Sequence, residues 1–387
     1  MDNQEIKHAS KQDVYFRNLL NISFGQAHEL VKQYGSPLLV LSPFRVKNAY
    51  LSLARALPQA QIFYAMKSNS HPDILKTLKK LGSSFESASY AELKMITSIG
   101  INPKEVLNTQ PFLSKKDFCR CYELGQRWFV VDNPLQLKRF LSVTNDLNLL
   151  VRLSFPNRNC QVDLSYKFGA TISDAYRIIT EAYNAGVKVR GVSFHVGSQS
   201  YSTKNYIKAL KAVRNLFNDC KRKGIKLDTL DIGGGFPVPY TKYVPPIEHF
   251  ALPIRRKLSK LFPNTKIWVE PGRFISGLSM NLITTVNGKN IRKGIPWYYL
   301  DDGVYNSFSG KVYDHCSYEI VPEKDGPVKR SVLAGPTCDS FDIITDRIRL
   351  PELNIGDVIL VPSMGSYSSI SATNYHGFNK AKIVTIK

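Results

Sequence analysis

Residues 61–100 read QIFYAMKSNSHPDILKTLKKLGSSFESASYAELKMITSIG, and the alternation inside this stretch decides the fold. Ile62–Met66 is an apolar run of strand length. Pro72–Leu81 follows with apolar residues three or four apart, which predicts a helix closed by Gly82. Ser84–Glu86 and Tyr90–Ile99 repeat the pair, and Gly100 closes it. The theme continues outward to about residue 272. Further strands are expected at Val106–Asn108, Trp128–Val131, Leu149–Leu153, Val189–Phe194, Thr229–Ile232 and Ile267–Val269. Further helices are expected at Asp174–Ala185, Ser202–Lys221 and Ile247–Leu261, the first closed by Gly186. Eight strands alternating with helices match a (β/α)8 TIM barrel. A doubly wound open sheet is the rival, because one miscounted strand separates them.

Beyond residue 277 the helical period disappears. Leu282–Val286, Trp297–Leu300, Tyr318–Val321, Arg330–Leu333, Val358–Val361 and Lys382–Ile386 read as strands between Gly, Pro, Asn and Asp turns. The expected organisation is therefore an N-terminal segment 1–36 packing on a β domain, a barrel over 37–276, and a C-terminal β-rich domain over 277–387. The N-terminal segment carries one expected helix, Gly25–Gln33, before the apolar run Pro37–Leu41.

A chain of 387 residues with 43% hydrophobic and 21% charged residues is an ordinary globular protein of enzyme size. The start, MDNQEIKHASKQDVYF, has no apolar core behind a positive segment, and no apolar run is long enough to span a membrane, so a cytoplasmic protein is expected. Cys119, Cys121, Cys160, Cys220, Cys316 and Cys338 are scattered without disulfide-framework or metal-site spacing, which predicts free thiols and no bound metal. The net charge of +21 raises a polyanion partner. Its clusters, such as Lys221-Arg222-Lys223 and Arg255-Arg256-Lys257, fall on helices and read as solvated faces. No nucleic-acid motif accompanies them.

Barrels of this kind work at the C-terminal ends of their strands, where the loops converge. Applied here, that rule gathers Lys67, Glu86, Arg152, His195, the triglycine Gly233-Gly234-Gly235, Glu270 and Arg273. Each has an ordinary explanation by itself: a solvated lysine at a strand end, a core histidine, a tight glycine turn. Together they are a reactive amine, an anion-binding turn beside an arginine, a flat ring and a buried carboxylate. These are the parts that pyridoxal 5'-phosphate (PLP) requires. The triglycine lacks the spacing of a dinucleotide-binding loop.

At these residues the chain resembles the fold-type III PLP decarboxylases of ornithine, lysine and diaminopimelate, which have an alanine-racemase-like barrel. The resemblance covers about residues 60–387. It rests on Tyr64-Ala65-Met66-Lys67-Ser68-Asn69, Phe194-His195-Val196-Gly197-Ser198, Asp231-Ile232-Gly233-Gly234-Gly235-Phe236-Pro237, Glu270-Pro271-Gly272-Arg273, Gly335-Pro336-Thr337-Cys338-Asp339 and Met364-Gly365-Ser366-Tyr367. Six motifs in the family's order are specific. The resemblance implies that Lys67 forms the Schiff base and that His195 stacks on the pyridine ring. It implies that Ser198, Gly234, Gly235, Arg273 and Tyr367 contact the phosphate, that Glu270 pairs with the ring nitrogen, and that Glu86 and Arg152 stand near the cofactor. Cys338 would return a proton to Cα and, as in the family, would be donated across a homodimer interface.

For the substrate, Asp339 and Tyr313-Asp314 stand where ornithine-type enzymes place aspartates facing the distal amine. A buried ammonium needs such a carboxylate. L-Ornithine decarboxylation to putrescine is thus the leading expectation, with a lysine or dual lysine/ornithine enzyme as the alternative. A catalytically dead binding protein like the antizyme inhibitors and an amino-acid racemase are the more distant readings. Two departures stand out. Glu86 occupies a position more often aspartate in the ornithine group, and Leu107-Asn108-Thr109-Gln110-Pro111 differs from the usual pattern after strand three, so no role is assigned there. Tyr375 is read as a structural aromatic.

Overall fold

The computed structural model describes residues 15–386. The chain forms two compact units. One holds residues 46–237 and 244–275; the other holds the described residues up to Arg45 together with 238–243 and those from Ser276 onward.

Strand β1 (Leu38–Leu41) belongs to the second unit. The barrel is built from β2 (Ala60–Ala65), β3 (Ser84–Ser87), β4 (Leu107–Asn108), β5 (Trp128–Val131), β6 (Asn148–Leu153), β8 (Lys188–Phe194), β10 (Thr229–Asp231) and β11 (Lys266–Val269), while β7 (Cys160–Val162) and β9 (Ser198–Ser200) form a small antiparallel ribbon. All eight barrel pairings are parallel and the ring closes from β11 back to β2. The eight strand runs expected from sequence are these eight, so the open-sheet rival is excluded. Phe63, Leu107, Val130, Leu150 and Trp268 form one buried cluster with Trp128 against it. Five strands spread around the ring can meet only inside it, so this apolar layer fills the interior before the C-terminal rim begins.

The helices start where their sequences supply caps. Ser89, Ser114, Asn133 and Thr171 each accept the third backbone N–H of the helix they precede, and Pro72 and Pro134 sit in the first turn. Helices Pro43–Ala56, Lys115–Glu123 and Pro134–Leu141 were not anticipated. The last two are short, and their few buried residues (Phe118 and Cys121; Gln136, Leu137 and Phe140) give too little period to read.

In the second unit, β12 (Met280–Arg292), β13 (Ile295–Leu300), β14 (Val321–Pro322), β15 (Lys329–Ala334), β16 (Ile343–Leu350), β17 (Val358–Val361) and β18 (Lys382–Thr385) join β1 in one eight-stranded sheet. Three expectations are corrected here. The boundary expected at residue 37 put Pro37–Leu41 within the barrel range, but Leu38–Leu41 lies between β12 and β18 with all four residues buried. The strand expected at Tyr318–Val321 is reduced to Val321–Pro322. Strand β16 was missed because IITDRIRL carries charges on a largely exposed edge. Helix Phe24–Tyr34 begins with a capping box at Ser23 and Gln26, and Ala27, Leu30 and Val31 pack with Leu38, Val40, Ile283, Val358 and Leu360. Residues 1–14 of the expected N-terminal segment lie outside the described residues.

Candidate active site

The barrel rim gathers its predicted residues. Lys67 follows β2 in a 3-10 turn, Met66–Ser68, and donates to both oxygens of Glu86 at 3.0 and 3.1 Å. Glu86 lies on β3 and its side chain is 1% exposed, whereas the Lys67 side chain is 41% exposed. The ion pair therefore has its acid buried and its amine open. Burial pushes the Glu86 carboxyl upward, and Glu270 adds to this, while Lys67 and the Thr109 hydroxyl oppose it. Thr109, which sequence reading left without a role, donates its hydroxyl to Glu86. Only its place one residue past β4 could have marked it.

The rim also holds a pair of buried carboxyls. Glu270, just past β11, shares a hydrogen bond with Asp231 at the end of β10, and both carboxyls are buried. Burial and then the Asp231 charge hold Glu270 well above the usual carboxylate range. Asp231 is also raised, chiefly by burial, although its Oδ1 accepts the Gly233 N–H at 2.8 Å. No donor reaches Asp231 Oδ2. Two facing acceptors need a proton between them, so the pair retains one. Asp231 was not singled out from sequence, because an aspartate before a glycine turn reads as turn chemistry.

His195 lies beyond β8 with Nδ1 accepting the Gly197 N–H at 3.0 Å. Burial first, then the positive charges of Arg152 and Lys67, lower it to about 3. The ring is therefore neutral with its proton on Nε2, a flat face rather than a cation. Arg152, on β6, lies over the Phe168 ring at 5.5 Å.

The triglycine is set by close approach. A Cβ on Gly234 would stand 2.4 Å from the Glu270 carbonyl oxygen and 3.4 Å from His195 Nε2. Gly235 has φ +96°, and a Cβ there would stand 2.3 Å from the Gly197 oxygen. The buried Tyr206 hydroxyl donates to the Gly234 oxygen at 2.7 Å, pinning the turn from behind. Arg273, 6% exposed, donates through Nε to the Ser198 hydroxyl at 3.3 Å. A glycine turn, a hydroxyl and a buried guanidinium thus offer N–H and O–H donors suited to a phosphate.

The remaining predicted residues lie in the β unit. Asp342, buried and not anticipated, accepts the Thr337 N–H at 3.1 Å, the Thr337 hydroxyl at 2.8 Å and the Val304 N–H at 2.8 Å, fixing the segment that presents Cys338. Cys338 is exposed, with Sγ 3.7 Å from His376 Nδ1. Asp339 accepts the Phe341 N–H at 2.9 Å and the Tyr305 hydroxyl. Those two donors hold its carboxyl below the usual range, and Tyr305 is pushed up to about 12 in return, chiefly by Asp339. Tyr375 stacks between Tyr305 and His376. Tyr313 stands exposed at the end of the turn Gly310–Tyr313, with Asp314 next. Tyr367 has φ +55°, and its carbonyl accepts from Ser309 at 3.3 Å and from Ser371 at 2.5 Å.

An anchored amine, a proton-retaining acid pair, a neutral ring and an anion cradle on one barrel rim define a PLP-binding enzyme, and the residues present fit that cofactor. The pyridoxal-binding domain model of the pyridoxal-dependent decarboxylases matches residues 44–277. The lysine/ornithine decarboxylase of Selenomonas ruminantium is 38% identical over 365 residues, covering 94% of this chain and 93% of that one. Antizyme inhibitor 2 of Xenopus laevis is 31% identical, covering 87% and 78%. The crystal structure of lysine/ornithine decarboxylase complexed with cadaverine from Vibrio vulnificus superposes with a TM-score of 0.89 at 38% identity, covering 94% and 98%. The chain belongs to the fold-type III pyridoxal-dependent decarboxylases, the family of ornithine, lysine and arginine decarboxylases. It is a PLP-dependent decarboxylase. Among the described residues no helix is long and apolar enough to cross a membrane.

Proposed function

We propose that the chain converts L-ornithine to putrescine and carbon dioxide, with lysine as a second substrate of the same site. The observation that carries this reading is the Asp339 carboxylate, held ionised by the Phe341 N–H and the Tyr305 hydroxyl in the residue after Cys338. An ionised carboxylate so placed suits the distal ammonium of a basic amino acid. Tyr313 and Asp314 complete that recognition. When bound, PLP supplies the electron sink for the pair left at Cα as the carboxylate departs.

In this reading Lys67 is the covalent anchor, oriented by Glu86, itself fixed by Thr109. His195, kept neutral, lies against the ring face, with Arg152 nearby. The Asp231–Glu270 pair keeps a proton for the ring nitrogen. Gly234, Gly235, Ser198, Arg273 and Tyr367 hold the phosphate. Cys338 delivers a proton to Cα, a task suited to a thiol. The enzyme works as a homodimer in which Cys338 serves the active site of a second copy. The six free thiols support a reducing, cytoplasmic setting.

Lysine is included because relatives covering most of the chain are named for both substrates. One methylene changes binding by only about 1–3 kcal/mol. The test is kcat/KM for ornithine, lysine and meso-diaminopimelate, followed by carbon dioxide release. Ornithine should be turned over at least as efficiently as lysine, and meso-diaminopimelate not at all. Turnover of meso-diaminopimelate alone would remove the proposal.

A further inference from the structure

Decarboxylation consumes one proton per turnover, because a C–H bond replaces the bond to a carboxylate and carbon dioxide leaves uncharged. A Cys338 thiol can deliver that proton once and is then a thiolate. A proton must reach Sγ again before the next cycle. His376 is placed for this: its Nδ1 lies 3.7 Å from Cys338 Sγ and the residue is otherwise open to solvent.

The ring's position is built. His376 has φ +52°, uncommon outside glycine, and this turn lays its ring on Tyr375 at 4.0 Å and 21°. Tyr375 stacks in turn on Tyr305 at 4.2 Å and 20°. The Tyr305 hydroxyl donates to Asp339, the chain neighbour of Cys338. Residues 338–339 and 375–376 are thus tied twice, through sulfur to imidazole and through the carboxylate and two aromatic rings. The titratable groups facing the imidazole are Cys338, Tyr375 and Asp339, with Tyr305 behind Tyr375.

We propose that His376 returns the proton to Cys338, a positioning residue acting through the thiol; this rests on Cys338 being the proton source in the reaction assigned above. The S–H bond breaks as the Cα–H bond forms. The Nδ1–H bond then breaks as S–H is remade while Nε2 takes a proton from solvent, and proton exchange with solvent returns the ring to its Nδ1–H form before the next cycle. The net change is one proton drawn from solvent, with no oxidation or reduction.

The test uses the holoenzyme with His376→Asn, since asparagine tolerates the left-handed backbone, and His376→Gly, which leaves room for free imidazole. Cys338 is alkylated with iodoacetamide at neutral pH and its peptide is quantified by mass spectrometry. In the wild type the S–C bond forms, iodide leaves and the thiol proton passes to Nδ1. Either variant should slow this alkylation about a hundredfold, the low end of general-base assistance, with Cys119 and Cys160 unchanged. Added imidazole should restore the rate in His376→Gly, and should restore kcat with KM unmoved. Equal alkylation rates, or slowing that imidazole does not repair, overturn the proposal. Undiminished diamine formation by Cys338→Ala would instead remove the assignment of Cys338 as proton source, and the relay with it, even where the alkylation coupling holds. An inactive Cys338→Ala beside unaltered alkylation in the His376 variants removes the relay alone.

Discussion

Lys67 grips both oxygens of the buried Glu86 carboxylate, at 3.0 and 3.1 Å, so the amine proposed to anchor the cofactor is aimed by an acid that water cannot reach. Burial raises the affinity of Glu86 for a proton, and the pair is lost once that proton is taken up. As pH falls, the acid limb of kcat/KM should therefore begin above the ordinary glutamate range. Glu86→Gln should lose that limb and lower kcat/KM roughly tenfold. A pH–rate profile of the two proteins checks this, and an unchanged limb counts against the role of Glu86.

The shared proton of Asp231 and Glu270 gives a second prediction. Glu270→Gln keeps the shape but cannot keep a proton for the ring nitrogen. It should reduce kcat by about 100-fold or more, with a smaller effect on PLP affinity. Steady-state rates at saturating PLP, with a PLP titration beside them, measure both.

Gly234→Ala should fail structurally. Its Cβ would meet the Glu270 carbonyl oxygen at 2.4 Å, a backbone atom that cannot swing aside as a flexible side chain could. A loss of roughly 1–3 kcal/mol of stability and weakened PLP binding are expected. Thermal unfolding and a PLP titration test this, and a variant of full stability would show that the turn can relax.

Asp302 allows a pH prediction away from the chemistry. It is fully buried, its Oδ1 accepts the Gly303 and Ser307 N–H groups, no donor reaches Oδ2, and burial raises it to about 7. A raised folded-state value means that its stabilising contribution is complete below the unfolded value and is lost as pH climbs through about 7. Asp302→Asn should therefore gain on the wild type between pH ~5 and ~8, by at most roughly 3 kcal/mol. Urea unfolding at both pH values gives the difference, and a gap that narrows with pH contradicts it.

The barrel was legible because its strands are short apolar runs separated by capped helices, a signal that survives in one sequence. The rim was legible for a related reason: polar residues such as Lys67, Glu86, His195 and Glu270 follow directly on those runs. The residues that complete the site were not. Thr109, Asp231 and Asp342 act through hydrogen bonds to other strands or segments, and nothing in their own neighbourhoods announces the partner. Tyr305 and His376 are joined through Tyr375 across 71 positions of chain by ring stacking, which has no sequence period. The expected boundary at residue 37 fell short of Leu38–Leu41 because an apolar run by itself does not say which domain it joins.

The proposed function rests on capture of the PLP aldehyde by the amine of Lys67. Borohydride reduction of the PLP-loaded enzyme, followed by peptide mapping, tests it most directly. One pyridoxyl group fixed on Lys67, and a Lys67→Ala protein that shows no visible absorbance band with PLP, are the predicted results. A pyridoxyl group fixed on another lysine, or a band that survives the substitution, would contradict the account.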